Sequence, residues 1–135
     1  MGRFQRNLDG LVNSVQSEQS LLVLITISGQ LRHEMDMKAL TKAGNTRIYF
    51  MPYIYLPDLV TLRDAYNGSV QKVADENGLV LVAGENDIPG NRQYFQDSVH
   101  FTPAGSEAMA ERIVRYLLSN PSVSKKLENR GCQIN

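Results

Sequence analysis

Two short apolar segments, 20–27 and 79–83, constrain the fold of this chain more than any other feature. Their sequences, SLLVLITI and LVLVA, are rich in branched side chains and are apolar on both faces. Such a segment is typical of a parallel strand that helices cover on both sides. The connection between the two is long enough to contain a helix, as a parallel crossover requires. We therefore predict a parallel pair with a right-handed crossover.

Helices are predicted on both sides of the first strand. Residues 4–19 place apolar side chains on one face at helical spacing, with a polar opposite face. A second helix is predicted over 57–77, because Pro57 suits a first helical position and Gly78 is a typical C-terminal stop. The stretch 28–56 between them shows no sustained period, and we predict a long loop there with at most one helical turn.

The C-terminal part predicts one more helix. Thr102 can cap it and Pro103 can occupy its first position, while Asn120-Pro121 ends it. The segment 119–135 is polar, and we predict a frayed tail. The order helix, strand, loop, helix, strand, loop, helix is typical of an α/β layer fold, and 135 residues suit a single domain.

Composition excludes several function classes. Fourteen basic and fourteen acidic residues balance, and no basic run exceeds Lys125-Lys126, so no nucleic-acid partner is expected. The apolar run 21–27 is too short for a membrane span. The single Cys132 predicts neither a disulfide framework nor a cysteine metal site. Because the two histidines show no metal-ligand spacing, we expect neither a metal nor another cofactor.

Asp97 and His100 are the candidate catalytic residues. They are three residues apart in the loop that follows the second strand, and active sites of parallel α/β folds gather on such loops. A histidine that acts as a general base needs a carboxylate on Nδ1 to fix its tautomer and stabilise its cation. On spacing alone, a capping or surface pair is the favoured interpretation, because Asp-x-x-His is common by chance.

The sequence around this pair, QDSVHFTPAGSEAMAERI at 96–113, resembles the last motif of the SGNH (GDSL) hydrolases. The similarity extends over about residues 4–118. It implies the C-terminal portion of one flavodoxin-like, three-layer α/β domain that contains the last two parallel strands with their flanking helices. It also implies a serine ester hydrolase of the esterase, lipase or acetylesterase class, acting on a small-molecule ester. By the resemblance, His100 is the general base and Asp97 orients it.

Other parts of the family pattern are missing from their expected places. The nucleophilic serine of a Gly-Asp-Ser stretch, the oxyanion-hole glycine and the Gly-x-Asn-Asp asparagine would precede the first helix. The sequence at 84–87 does spell Gly-x-Asn-Asp, but it follows the second strand, and we interpret it as a polar turn. Ser28 at the end of the first strand is a weak nucleophile candidate against a strand-ending turn. Ser98 is interpreted as structural, and His33 as a solvated surface histidine.

Two hypotheses about function follow from this pattern. In the first, the chain belongs to an ester hydrolase whose N-terminal part, which carries the nucleophile, is absent. In the second, it is an inactive fragment or pseudoenzyme that acts as a binding module. In either case two strands leave an open sheet edge, because a flavodoxin-like sheet has about five strands. We therefore expect self-association or pairing with the missing segment.

The aromatic run IYFMPYIY at 48–55 also has two interpretations. It lines a substrate cleft, or it covers the edge of the core beside the second helix. The core interpretation is favoured, because Phe50 and Ile54 are apolar side chains that usually lie inside.

Overall fold

The structure is a computed structural model that describes residues 2–18 and 20–129. Predictions for Gln19 and for 130–135, including Cys132, lie outside the described residues. Six helices and two strands follow in the order α1 (Gly2–Ser17), β1 (Val23–Ile25), α2 (Met37–Ala43), α3 (Asn45–Phe50), α4 (Leu56–Glu76), β2 (Val80–Val82), α5 (Pro103–Leu118) and α6 (Pro121–Glu128) in that part of the chain. The chain forms two compact units, one from residues up to 26, 68–83 and 111 onward, the other from 27–67 and 84–110.

The first unit contains the predicted parallel pair. Its register joins Val23 to Val80, Leu24 to Leu81 and Ile25 to Val82. One further backbone bond, from Thr26 N to Val82 O at 3.1 Å, continues the ladder. Both strands are shorter than predicted, because a strand extends only as far as its partner. Leu21 and Ile27, in the predicted ends of the first strand, are 39% and 46% exposed.

Apolar side chains from the helices of the first unit bury its core. Val12 of α1 and Val73 of α4 are fully buried, as is Val82 of β2. Arg112 of α5 is 2% exposed, and its Nη2 donates to the carbonyl oxygen of Thr26 at 2.7 Å. This bond satisfies a backbone carbonyl at the end of β1, where the ladder no longer reaches it.

The tail prediction is wrong for 121–128, which form α6. Asn120 caps this helix by accepting a hydrogen bond from Ser122 N at 3.0 Å, and Pro121 occupies its first turn. Val123 is buried. The Asn-Pro pair that ends one helix therefore also begins the next, because an N-cap residue and a proline suit the start of a helix.

The second unit corrects the loop prediction for 28–56, since two short helices lie there. Asp36 caps α2 by accepting from Ala39 N at 2.7 Å. Gly44 separates α2 from α3, and a Cβ on it would lie 2.8 Å from Leu56 Cδ2. One core cluster of this unit buries five apolar side chains: Leu31, Leu40, Ala43, Leu56 and Val60. A glycine at 44 thus lets the backbone approach Leu56 closely.

The favoured interpretation of the aromatic run is wrong for its rings, although Ile48 at its start packs against the core. Phe50 is 73% exposed and Tyr53 is fully exposed, and Tyr49 and Tyr55 are also exposed. The edge of Tyr49 contacts Phe50, with ring centroids 5.0 Å apart. The core of this unit is already closed by aliphatic side chains of α2 and α4, so the aromatic rings remain at the surface.

Candidate functional site

A tight turn at 95–101 carries the candidate catalytic pair. Gln96 N donates to His100 O at 2.8 Å, and Phe95 pairs with Phe101 in an isolated antiparallel bridge. The two phenylalanine rings pack with centroids 4.9 Å apart, and Phe95 is completely buried. This apolar base fixes both ends of the turn, so Asp97 and His100 project from an anchored backbone.

The helix that follows holds the turn from the other side. Thr102 N donates to Tyr94 O at 3.0 Å, and Thr102 Oγ1 donates to Gln93 O at 2.5 Å. The same hydroxyl accepts from Gly105 N at 3.1 Å, which is the N-cap bond that the sequence predicts. The start of α5 at Pro103 confirms the prediction.

The Asp97 carboxylate uses both oxygens. Oδ1 accepts from the backbone N–H groups of Val99 and His100, each at 2.9 Å. Oδ2 lies 2.7 Å from Nδ1 of the His100 ring. The hydrogen bond predicted between Asp97 and His100 is therefore present, and the backbone bonds fix the carboxylate that makes it.

These bonds control the ionisation of Asp97. Burial acts to raise its pKa, but the hydrogen bonds from Val99 N, the His100 ring and His100 N, together with the His100 charge, outweigh burial. The pKa falls from 3.8 to about 2. The carboxylate is therefore ionised at neutral pH and accepts the Nδ1 proton of His100.

The imidazole of His100 is accessible. Its side chain is 72% exposed, whereas that of Asp97 is 21% exposed. With Nδ1 donating to the carboxylate, the lone pair of Nε2 is available to take a proton from a bound molecule. This is the arrangement that general-base catalysis requires.

A second segment lies against the turn. Gln30 N donates to Ser98 O at 3.0 Å, and a Cβ on Gly29 would lie 3.4 Å from the same oxygen. Ser28 and Ser98 are buried, at 6% and 3% exposure. Both line a cavity of about 240 Å³ to which Val99, next to His100, also contributes. The structure therefore brings Ser28 to the surroundings of the turn, but not to an open surface.

His33 forms a second pair that sequence reasoning missed. Its Nε2 lies 2.6 Å from Asp64 Oδ2, and the two side chains are 63% and 43% exposed. The exposure of His33 agrees with the sequence interpretation, but its partner is 31 residues away. Asp64 Oδ1 also accepts from Arg63 Nε and Nη2 at 3.3 and 3.2 Å. No local spacing signals such a pair, because it forms only when α4 packs beside the 31–34 segment.

Arg32 is a buried cation that the sequence did not single out. It is 6% exposed, and its Nη2 donates to Ile88 O at 2.7 Å, while Nη1 donates to Gly29 O. Burial lowers the pKa of Arg32, and the neighbouring Arg63 adds to this effect. Its hydrogen bonds to backbone carbonyls join the loop after β1 to the loop after β2. The turn predicted at 84–87 is present in the latter, with Asp87 N donating to Gly84 O at 3.0 Å.

Two other kinds of functional feature, a metal-binding cluster and a membrane-spanning helix, are not found in the described residues. Within residues 2–18 and 20–129, no three metal-ligating side chains cluster. In the same residues, no helix combines the length and the apolar character that crossing a bilayer would need. No family model, curated protein or solved structure matches the chain.

Proposed function

We propose that His100 is the general base of an ester hydrolase and that Asp97 orients it. The observation that carries this proposal is the carboxylate held by two backbone N–H groups and placed 2.7 Å from Nδ1 of an accessible ring. The resemblance of 96–113 to the last SGNH motif supports the same roles. The mixed α/β structure with a parallel pair is compatible with the three-layer fold that the resemblance implies.

In this reaction a serine hydroxyl attacks the carbonyl carbon of the ester, and Nε2 of His100 takes the hydroxyl proton. The protonated ring then donates that proton to the departing alcohol, which leaves an acyl-serine. Water attacks the acyl-serine while His100 takes its proton, and the ring then returns that proton to the serine oxygen as the acyl–serine bond breaks and the acid is released. Asp97 stays ionised throughout and stabilises the imidazolium that forms in each step.

The burial of Ser28 and Ser98 favours the alternative hypothesis for the chain taken alone. A nucleophile must reach both the base and the substrate, and neither serine is more than 6% exposed. The hydrolase proposal therefore assigns the nucleophile to a serine in a segment that precedes the first helix, as the resemblance implies. If no such serine meets His100, the domain is a binding module that retains the turn.

The tautomer of neutral His100 tests the geometry of the Asp97–His100 pair directly, and that of neutral His33 provides the comparison. In neutral His100 the proton should lie on Nδ1, whereas in neutral His33 it should lie on Nε2, because those are the nitrogens that contact Asp97 and Asp64. Nitrogen-15 spectra that correlate ring nitrogens with carbon-bound protons distinguish the two tautomers. Asp97→Ala should remove the preference of His100 and leave that of His33 unchanged. An Nε2 proton on neutral His100 in the unaltered chain would contradict the assigned role.

Activity is tested with a serine-directed phosphonate and an activated ester. The 135-residue chain should react no faster than free imidazole, because a base without its nucleophile and oxyanion donors retains little of the rate. A version extended with the reading frame upstream of Met1 should be labelled on a serine. In that version His100→Ala should lower turnover by about 10²–10⁴-fold, and the matched variant His33→Ala should not.

Three outcomes would change the proposal. Full activity of the extended His100→Ala variant would remove the general-base role. An extended protein that is neither labelled nor active would favour the binding module. Stoichiometric labelling of Ser28 in the 135-residue chain would show that the nucleophile lies within this unit.

A further inference from the structure

The cavity of about 240 Å³ in the second unit has the chemistry of a binding site. Six apolar side chains form much of its wall: Ile27, Leu31, Met51, Leu59, Val60 and Val99. An apolar cavity of about 150 Å³ is enough for a benzene molecule. The larger cavity here therefore suits an apolar chain of about six to eight carbons.

The charged residues of the cavity wall indicate the charge of a ligand that it would bind. Arg47 and Arg63 line the cavity, and none of the described residues that line it is acidic. Arg63 is already engaged, with Nη1 donating to Leu31 O at 2.7 Å and Nη2 to Asp64 Oδ1 at 3.2 Å. Arg47 Nη1 contacts Met51 Sδ at 3.9 Å, and a thioether is a weak acceptor. The Arg47 guanidinium is therefore the group best placed to bind an anion.

A buried hydroxyl in the same wall points to a ligand that forms hydrogen bonds. Ser98 is 3% exposed and lines the cavity, and its Oγ has no hydrogen-bond partner among the described residues. A buried hydroxyl without a partner costs free energy, so it persists where something else supplies the bond. A purely apolar ligand would not supply that bond, whereas a ligand with a polar oxygen would.

We propose that this cavity binds a short-chain monocarboxylic acid. The alkyl chain lies among the six apolar side chains, the carboxylate contacts Arg47, and Ser98 Oγ forms a further hydrogen bond to the ligand. The inference deepens the proposed function and rests on it in one respect, namely that such an acid is the acyl half of the ester. The acid would be the product of hydrolysis, and the cavity would select short acyl chains.

Binding is measured by calorimetry and by amide NMR on the full chain, with hexanoate as the probe. Hexanoate should bind saturably, and hexylammonium, which has the same chain and the opposite charge, should not. Arg47→Gln should weaken hexanoate binding by at least about tenfold, because a charge-assisted hydrogen bond is lost. The matched control is Arg3→Gln, which removes the charge of an exposed α1 residue that does not line the cavity. It should leave the affinity for hexanoate unchanged.

Ser98→Ala provides a second variant that keeps the test valid if Arg47→Gln disturbs the short helix α3. Ser98→Ala removes a hydroxyl that would hydrogen-bond to the carboxylate, so it should weaken hexanoate by at least about tenfold without unfolding the chain. Methyl hexanoate carries the acyl chain without the charge, so it should bind the unaltered chain about as weakly as hexanoate binds Arg47→Gln. The comparison of methyl hexanoate with hexanoate distinguishes a site that requires the carboxylate charge from one that binds the uncharged ester equally well.

The binding result is independent of catalysis. Binding of the free acid needs no nucleophile, so the 135-residue chain should bind hexanoate even if neither it nor the extended version hydrolyses an ester. Absence of saturable binding would overturn the inference, as would equal binding of hexanoate and hexylammonium. An unchanged affinity in both Arg47→Gln and Ser98→Ala would overturn it as well.

Discussion

Replacement of Asp97 by asparagine should remove a pH-dependent part of the free energy of unfolding. Asparagine keeps an Oδ1 that can accept from the Val99 and His100 N–H groups, so the substitution removes the charge and preserves the turn. The pKa of Asp97 is lowered from 3.8 to about 2 in the folded chain. A lowered carboxyl pKa stabilises the fold above the unfolded-state pKa, and this stabilisation is lost as the pH falls through the folded value.

The magnitude follows from that difference. At roughly 1.4 kcal/mol for each pH unit, the lowering of the pKa corresponds to about 2 kcal/mol. The His100 ring is 72% exposed, so solvent screens its share of the interaction. We therefore expect Asp97 to contribute about 1–2 kcal/mol near neutral pH, nearly all of it present at about pH 5 and most of it gone at about pH 2.

Urea unfolding at a series of pH values measures this contribution. The free energies of unfolding of the unaltered chain and of Asp97→Asn should differ by about 1–2 kcal/mol at about pH 5 and should converge as the pH approaches about 2. Asp75→Asn, which removes an exposed carboxylate from α4, should show no comparable convergence. A difference between the unaltered chain and Asp97→Asn that stays constant over this range would refute the reasoning, because a structural effect of the substitution does not titrate.

Three further measurements test the packing. Gly105→Ala should destabilise the fold by at least about 2 kcal/mol in urea unfolding, because its Cβ would overlap the Tyr94 carbonyl oxygen. The control Gly68→Ala in α4, whose Cβ meets no atom within 4 Å, should instead stabilise the fold by up to about 1 kcal/mol. Arg112→Ala should cost at least about 2 kcal/mol, since it leaves the carbonyl of Thr26 without this donor. Sedimentation should show self-association that grows with concentration, because β1 and β2 are the only strands paired in the described residues; a stable monomer at high concentration would argue against an open edge.

The sequence predicted the elements whose signals are local. The parallel pair followed from branched, two-sided apolar runs, and the end of α4 followed from Gly78, whose φ of 59° suits glycine. The start of α5 followed from Thr102 and Pro103. The contact between Asp97 and His100 belongs to the same class, because a three-residue spacing across a turn already places the two side chains close together.

Elements that depend on tertiary packing were not predictable in this way. Helix α2 spans seven residues and α3 six, which is too short for a periodic pattern to be distinguished from chance. The position of α2 is determined by the Asp36 cap and by the packing of Leu40 and Ala43 in a core shared with Leu56, and Ile48 of α3 packs against the same core. The exposed rings of Tyr49 and Phe50 were misassigned for the same reason, since whether an aromatic residue is needed inside depends on what already fills the core.

The two histidine pairs of the chain show why a short contact alone does not identify a base. His33 lies as close to Asp64 as His100 does to Asp97, at 2.6 and 2.7 Å. Asp64, however, shares its charge with the guanidinium of Arg63, whereas the other oxygen of Asp97 accepts from the backbone N–H groups of Val99 and His100. A carboxylate that also pairs with a guanidinium stabilises an imidazolium less, and Asp64 is more exposed to solvent than Asp97, at 43% against 21%. The backbone anchor of Asp97, rather than its distance from the ring, is therefore what makes His100 the stronger candidate for the general base.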